Sequence, residues 1–121
     1  MTSNKKVLVV DDSPTIRAIL SRNLTNSGLE VTEFSTGDAA VSTVQKMPSI
    51  ELPICAIVDK DMPGMSGVDC AIILQKRGIR CVAYTATPSP RSDEIYSSAG
   101  ISVFKKTEMP RMISQVRKLS A

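Results

Sequence analysis

Lys6 to Val10, "KVLVV", is a run of aliphatic and β-branched residues bounded by polar ones, the pattern of a short strand covered on both faces. Directly after it the period lengthens. Ile16, Ile19, Leu20 and Leu24 recur at helical spacing, Ser13 offers an N-cap, Pro14 stands at the first helical position and Gly28 supplies a stop. The same strand, loop and helix succession then recurs without any repeat of sequence. Glu30 to Phe34 reads as a second strand, "STGDAAVSTVQKM" as a turn and helix capped by Ser35 or Asp38, and "PICAIV" as a third strand. Val68 to Lys76 predicts a third helix, Arg80 to Tyr84 a fourth strand and Pro90 to Ala99 a fourth helix. Ser102 to Phe104 follows as a short fifth strand and Met109 to Leu119 as a last amphipathic helix.

Five near-continuous apolar strands alternating with five helices through short connections call for a parallel sheet with helices on both faces, joined by right-handed crossovers. In such doubly wound α/β sheets the ligand site lies beyond the carboxyl ends of the strands. The residues at those ends are Asp11 and Asp12 after the first strand, Asp59 and Asp61 after the third, Thr85 after the fourth, and Lys105 and Lys106 after the fifth. The second strand ends in "STGD", which reads as a turn and helix start and nothing more.

Length and composition narrow the function. The 121 residues suffice for one apolar core and are expected to form one domain, 1–121. Apolar residues make up 42% and charged residues 22%, near the averages for globular proteins. A net charge of +3 from scattered basic residues gives no footprint for nucleic acid. "MTSNKK" leads straight into the first strand with no apolar signal region, and no run approaches a membrane span, so a cytoplasmic location is expected. Cys55, Cys70 and Cys81 form no CxxC pair and read as small buried hydrophobes. The absence of histidine excludes Ser-His and Cys-His catalysis and phosphohistidine chemistry on this chain.

Three or four carboxylates converging on one crevice repel one another unless a cation sits among them. Hard oxygen ligands of this kind suit magnesium, which favours carboxylates together with phosphate oxygens. Asp11 and Asp12 can then hold the ion while Asp59 offers a free oxygen to an electrophile, and a carboxylate attacking phosphorus in line is the chemistry of an aspartyl phosphate. Phosphoryl transfer spreads charge over equatorial oxygens, which the Thr85 hydroxyl and a lysine ammonium can receive. Pro63, Gly64 and Gly67 would keep the loop beyond Asp59 free of bulk.

"VLVVDDSPTIRAIL", "IVDKDMPGMSG", "YTA" and a lysine after the fifth strand resemble, in order and over essentially the whole chain, the receiver domain of two-component response regulators. The resemblance implies a flavodoxin-like sheet in the order 2-1-3-4-5 and a phosphoacceptor at Asp59. It further implies Asp11 and Asp12 as the acidic pair serving Mg2+, the Asp61 backbone carbonyl as a further ligand, Thr85 as the switch hydroxyl, and Ala86 as space for the phosphoryl group. The implied phosphodonor is a sensor histidine kinase or a histidine phosphotransfer protein. The implied output is contact with a downstream protein target through the fourth helix, fifth strand and fifth helix, and a homodimer formed on phosphorylation is compatible with it. Asp61 and Thr87 are where tuning of water access, and so of phosphoryl lifetime, is expected.

The sequence departs from the family at "SVFKKTEMP", where two lysines are adjacent and neither precedes proline. "VFK" reads as the natural strand end, which makes Lys105 the expected site lysine and Lys106 the alternative. The family's aromatic switch position then falls on Ser102 or, for Lys106, on Val103, and neither is aromatic. Two other functions fit parts of the pattern. "AIVDKDMP" is similar to the Asp-x-Asp motif of haloacid-dehalogenase-type phosphatases, although here it lies on the third strand with no room for a cap domain. A receiver fold that binds partners without phosphorylation is the other.

Overall fold

The computed structural model describes residues 4–86 and 90–120. Five strands, β1 (Lys6–Val10), β2 (Glu30–Phe34), β3 (Cys55–Asp59), β4 (Arg80–Thr85) and β5 (Ser102–Lys105), form one sheet in the order β2-β1-β3-β4-β5. Every neighbouring pair is parallel, with Val9 opposite both Glu33 and Ile57, and Asp59 opposite Tyr84. The expected fold class, doubly wound and flavodoxin-like, is the one observed.

Strand alternation divides the core into two layers. Leu8 and Val10 of β1 pack with Ala56, Val58 and Ala83 beneath α2 (Gly37–Gln45), α3 (Gly67–Lys76) and α4 (Pro90–Ser98), which supply Val41, Val44, Cys70, Leu74 and Tyr96. Val7 and Val9 pack with Ile57, Val82 and Tyr84 beneath α1 (Pro14–Asn26) and α5 (Met109–Ser120), which supply Leu20, Leu24, Met112 and Val116. All five residues of β3 are buried, which is why its sequence shows a continuous apolar run rather than alternation.

Local chemistry sets the helix starts. Ser13 caps α1, its hydroxyl accepting from the Ile16 N–H at 3.3 Å, with Pro14 at the first position as expected. The cap of α2 is Thr36 rather than Ser35 or Asp38: its hydroxyl accepts from the Ala39 N–H at 3.1 Å, and Asp38 falls in the first turn, where the helix dipole favours a carboxylate. Ser66 caps α3, which begins one residue earlier than its apolar stripe suggests. Two 3-10 turns, Ser49–Glu51 and Lys106–Glu108, have no apolar period to announce them. The three cysteines are free and buried, and burial pushes the Cys55 and Cys70 thiols up to about 12 and about 11. Among the described residues no helix is long and apolar enough to cross a membrane.

Candidate functional site

Parallel pairing brings the carboxyl ends of β1, β3, β4 and β5 to one edge of the sheet, and the polar residues buried among the described ones, Asp11, Asp59 and Thr85, all stand there. Asp11 follows β1, and its amide continues the ladder by donating to the Phe34 carbonyl at 3.1 Å. Its side chain is wholly buried; Oδ1 accepts from the Ser13 N–H at 2.7 Å and Oδ2 accepts from the Tyr84 hydroxyl. Arg17, one turn into α1, donates to the Asp11 carbonyl at 2.7 Å. Asp12 is exposed at the mouth.

Asp59 is 2% exposed. Its Oδ1 accepts from the Asp61 N–H at 2.9 Å, and its Oδ2 faces the Lys106 ammonium at 4.0 Å. Burial pushes the Asp59 carboxyl up to about 6; the Asp61 amide pulls against that shift, and the charge of Asp11 adds to it. Asp11, Asp12 and Asp59 each offer an oxygen, and these atoms lie within 4.8 Å of one another, an arrangement able to hold a cation. The Asp61 carboxylate is not in that trio; it accepts from the Thr85 hydroxyl at 2.8 Å. Thr87 lies outside the described residues.

The lysine whose ammonium faces Asp59 in the structure is Lys106, where Lys105 was expected. β5 does end at Lys105, but that residue is exposed, and its backbone N–H donates to Glu108 Oε1 at 2.9 Å. This bond closes the 3-10 turn Lys106–Glu108 immediately after the strand, and the turn swings the next side chain back over the crevice. There the Lys106 ammonium lies 5.4 Å from the centre of the Tyr84 ring as well as facing Asp59. With Lys106 in this place the position of the family's aromatic switch is Val103, half-buried against the layer beneath α2–α4.

The loop after β3 is tied on both sides. The Lys60 N–H donates to the Tyr84 carbonyl at 2.9 Å, and the Lys60 ammonium, only 8% exposed, pairs with Asp93 of α4 at 3.0 Å. Gly67 permits a close approach: a Cβ there would stand 2.5 Å from the Asp59 carbonyl oxygen, 2.6 Å from the Tyr96 hydroxyl and 2.9 Å from the Lys60 Cα. Gly64, at φ +77°, takes a conformation that side chains disfavour. Tyr84 and Tyr96 were the site residues least legible in sequence; their one signal is a phenol within an apolar pattern, which needs a polar partner when buried.

Comparison with known proteins gives the same answer as the geometry. The "DNA-binding response regulator MtrA" of Mycolicibacterium smegmatis is 29% identical over 86 residues, 70% of this chain and 36% of that protein. This chain spans about a third of the length of the curated relatives it matches. The response regulator TrrA of Thermotoga maritima, solved in complex with Mg2+–BeF, aligns with a TM-score of 0.78 and 31% identity over 95% of this chain and 98% of that one. The chemotaxis protein CheY4 of Vibrio cholerae shares the fold, with a TM-score of 0.79 and 24% identity over 94% of this chain and 97% of that one. The family model for the response regulator receiver domain matches residues 7–117, so the chain belongs to the response regulator receiver domain family of two-component signalling.

Proposed function

We propose that this receiver accepts a phosphoryl group on Asp59 from a phosphohistidine of a sensor kinase or histidine phosphotransfer protein, and signals by protein contact. The observation that supports this most is the convergence of four strand ends on one buried carboxylate. Asp59 is flanked by two further acids, and an ammonium and a hydroxyl stand at the same crevice. In the transfer, an Asp59 oxygen forms a bond to phosphorus as the P–N bond to the donor imidazole breaks. None of the 121 residues is a histidine, so the phosphohistidine lies outside this stretch of chain.

The acidic trio fits magnesium: three hard oxygen donors, one of them exposed, leave room for water and a phosphoryl oxygen. When bound, the ion would neutralise charge on the carboxylates and on the incoming phosphoryl group. Lys106 is placed to meet the charge that develops on the phosphoryl oxygens. The Thr85 hydroxyl donates to Asp61, and from the same strand end it could instead donate to a phosphoryl oxygen. Such an exchange would reset the Asp59–Asp61 loop, which reaches α4 through Lys60 and Asp93. Membership of a family built on phosphotransfer supports a cytoplasmic setting.

Incubation with acetyl phosphate, with and without Mg2+, followed by intact-mass measurement tests the reading. One phosphoryl group should be gained only with Mg2+, be lost to hydroxylamine, and be absent from folded Asp59→Asn. Folded wild-type protein that gains none would shift the function to phosphorylation-independent binding. Normal labelling of the Asn variant would show the phosphoacceptor to lie elsewhere.

A further inference from the structure

Tyr84 stands at the crevice without belonging to the set of acids, hydroxyl and lysine discussed above. On β4 it faces the layer beneath α1 and α5, where an aliphatic side chain would complete the packing. Tyrosine adds a phenol that is carried past the packed layer to the strand ends. There its O–H donates to Asp11 Oδ2, while Asp11 Oδ1 accepts from the Ser13 N–H at 2.7 Å. Both oxygens of a wholly buried carboxylate are thereby held, so its orientation is fixed. The ring of the same residue also meets the site's cation, with the Lys106 ammonium 5.4 Å from the ring centre and 4.0 Å from Asp59 Oδ2.

We propose that Tyr84 is a positioning residue for divalent-cation binding, its phenol locking Asp11 into the orientation in which Asp11, Asp12 and Asp59 converge. The inference rests on the reading that this trio binds Mg2+. The physical ground is that a carboxylate gathered beside two others is driven to rotate away by their charge, and donors held on both its oxygens oppose that rotation. Groups that orient metal-ligating side chains in this way typically contribute 10–100-fold to metal affinity.

Tyr84→Phe keeps the ring in the core and removes only the O–H. Mg2+ titrations by calorimetry on wild type, Tyr84→Phe, Asp11→Asn and the double variant, each shown folded by circular dichroism, separate positioning from a purely structural bond. Tyr84→Phe should raise the Mg2+ Kd about tenfold. In the Asp11→Asn background the same change should alter the Kd by less than about twofold, because the partner through which it acts is gone. A Kd unchanged or lowered in folded Tyr84→Phe would overturn the inference and leave the magnesium reading standing. Wild-type protein that shows no saturable Mg2+ binding would overturn both. Should Tyr84→Phe not fold, labelling the ring 13Cζ carbons of the wild-type protein reads the phenol directly, since the chain has only 2 tyrosines. The Tyr84 resonance should shift with the same Kd as calorimetry reports, and a resonance insensitive to Mg2+ would overturn the proposal.

Discussion

Lys105 and Lys106 carry the same group on adjacent residues, and only the backbone separates their fates. Glu108 accepts from the Lys105 N–H and stops the strand there, so Lys105 turns outward and Lys106 turns over Asp59. An ammonium 4.0 Å from a buried carboxylate is placed to stabilise charge that develops during transfer. Lys106→Met should therefore slow labelling by acetyl phosphate roughly 10–100-fold, an effect of the size seen when a preorganised donor is lost. Lys105→Met should stay within about twofold, because its side chain is exposed on the outer side of the strand end. Rates from a time course of intact mass would decide, and a larger loss in Lys105→Met would reverse the assignment. The acids and Thr85 were legible because a strand end fixes a residue's place to within one position. The lysine was not, since a one-residue change in where the turn begins exchanges the two side chains, and that choice rests on a glutamate three residues on.

At the scale of elements, the alternation of apolar runs with helical stripes made the parallel, doubly wound sheet legible, whereas its strand order was implied only by the resemblance to receiver domains. The 3-10 turns escaped because a three-residue turn has no period. The most constrained element is the β3–α3 connection, since Gly67 brings the start of α3 against the backbone that carries Asp59. A methyl at Gly67 would meet the Asp59 carbonyl oxygen at 2.5 Å and the Lys60 Cα at 2.9 Å, and backbone atoms cannot rotate aside. Gly67→Ala should cost about 1–3 kcal/mol in urea unfolding, the range for overpacking a rigid site. It should also slow phosphorylation of the folded variant, because relief of the clash moves the Asp59 loop and strains its Lys60–Asp93 tie to α4. An alanine variant matching wild type in both measurements would mean that α3 can withdraw without disturbing the loop.

Taken whole, the molecule carries a net charge of +3 yet gathers three of its 12 acids into one crevice, so the site works against the stability of the fold. Asp59 shows the sign. Its folded pKa of about 6 lies above the usual 3.8 because burial disfavours the charged form. Between those values the folded chain keeps a proton that the unfolded chain has released, so stability falls as pH rises through about 4 to 6 and stays lowered above that window. A shift of this size corresponds to roughly 3 kcal/mol. Asp59→Asn removes the ionisable group, so in EDTA at pH 7.5 it should be more stable than wild type by on the order of 2–3 kcal/mol, with the difference closing near pH 4. Mg2+ works in the opposite direction, because it binds the folded, ionised trio and has no such site in the unfolded chain. At a hundredfold excess over its Kd it should return about 2.7 kcal/mol to wild type, and less to the Asn variant, which has lost one of the three carboxylates. Urea unfolding of both proteins at the two pH values, with and without Mg2+, tests the whole scheme. A wild type already as stable as Asp59→Asn in EDTA at pH 7.5 would mean that Lys106 and the Asp61 amide offset the burial of Asp59 in full, leaving no charge strain in the crevice for a cation to relieve.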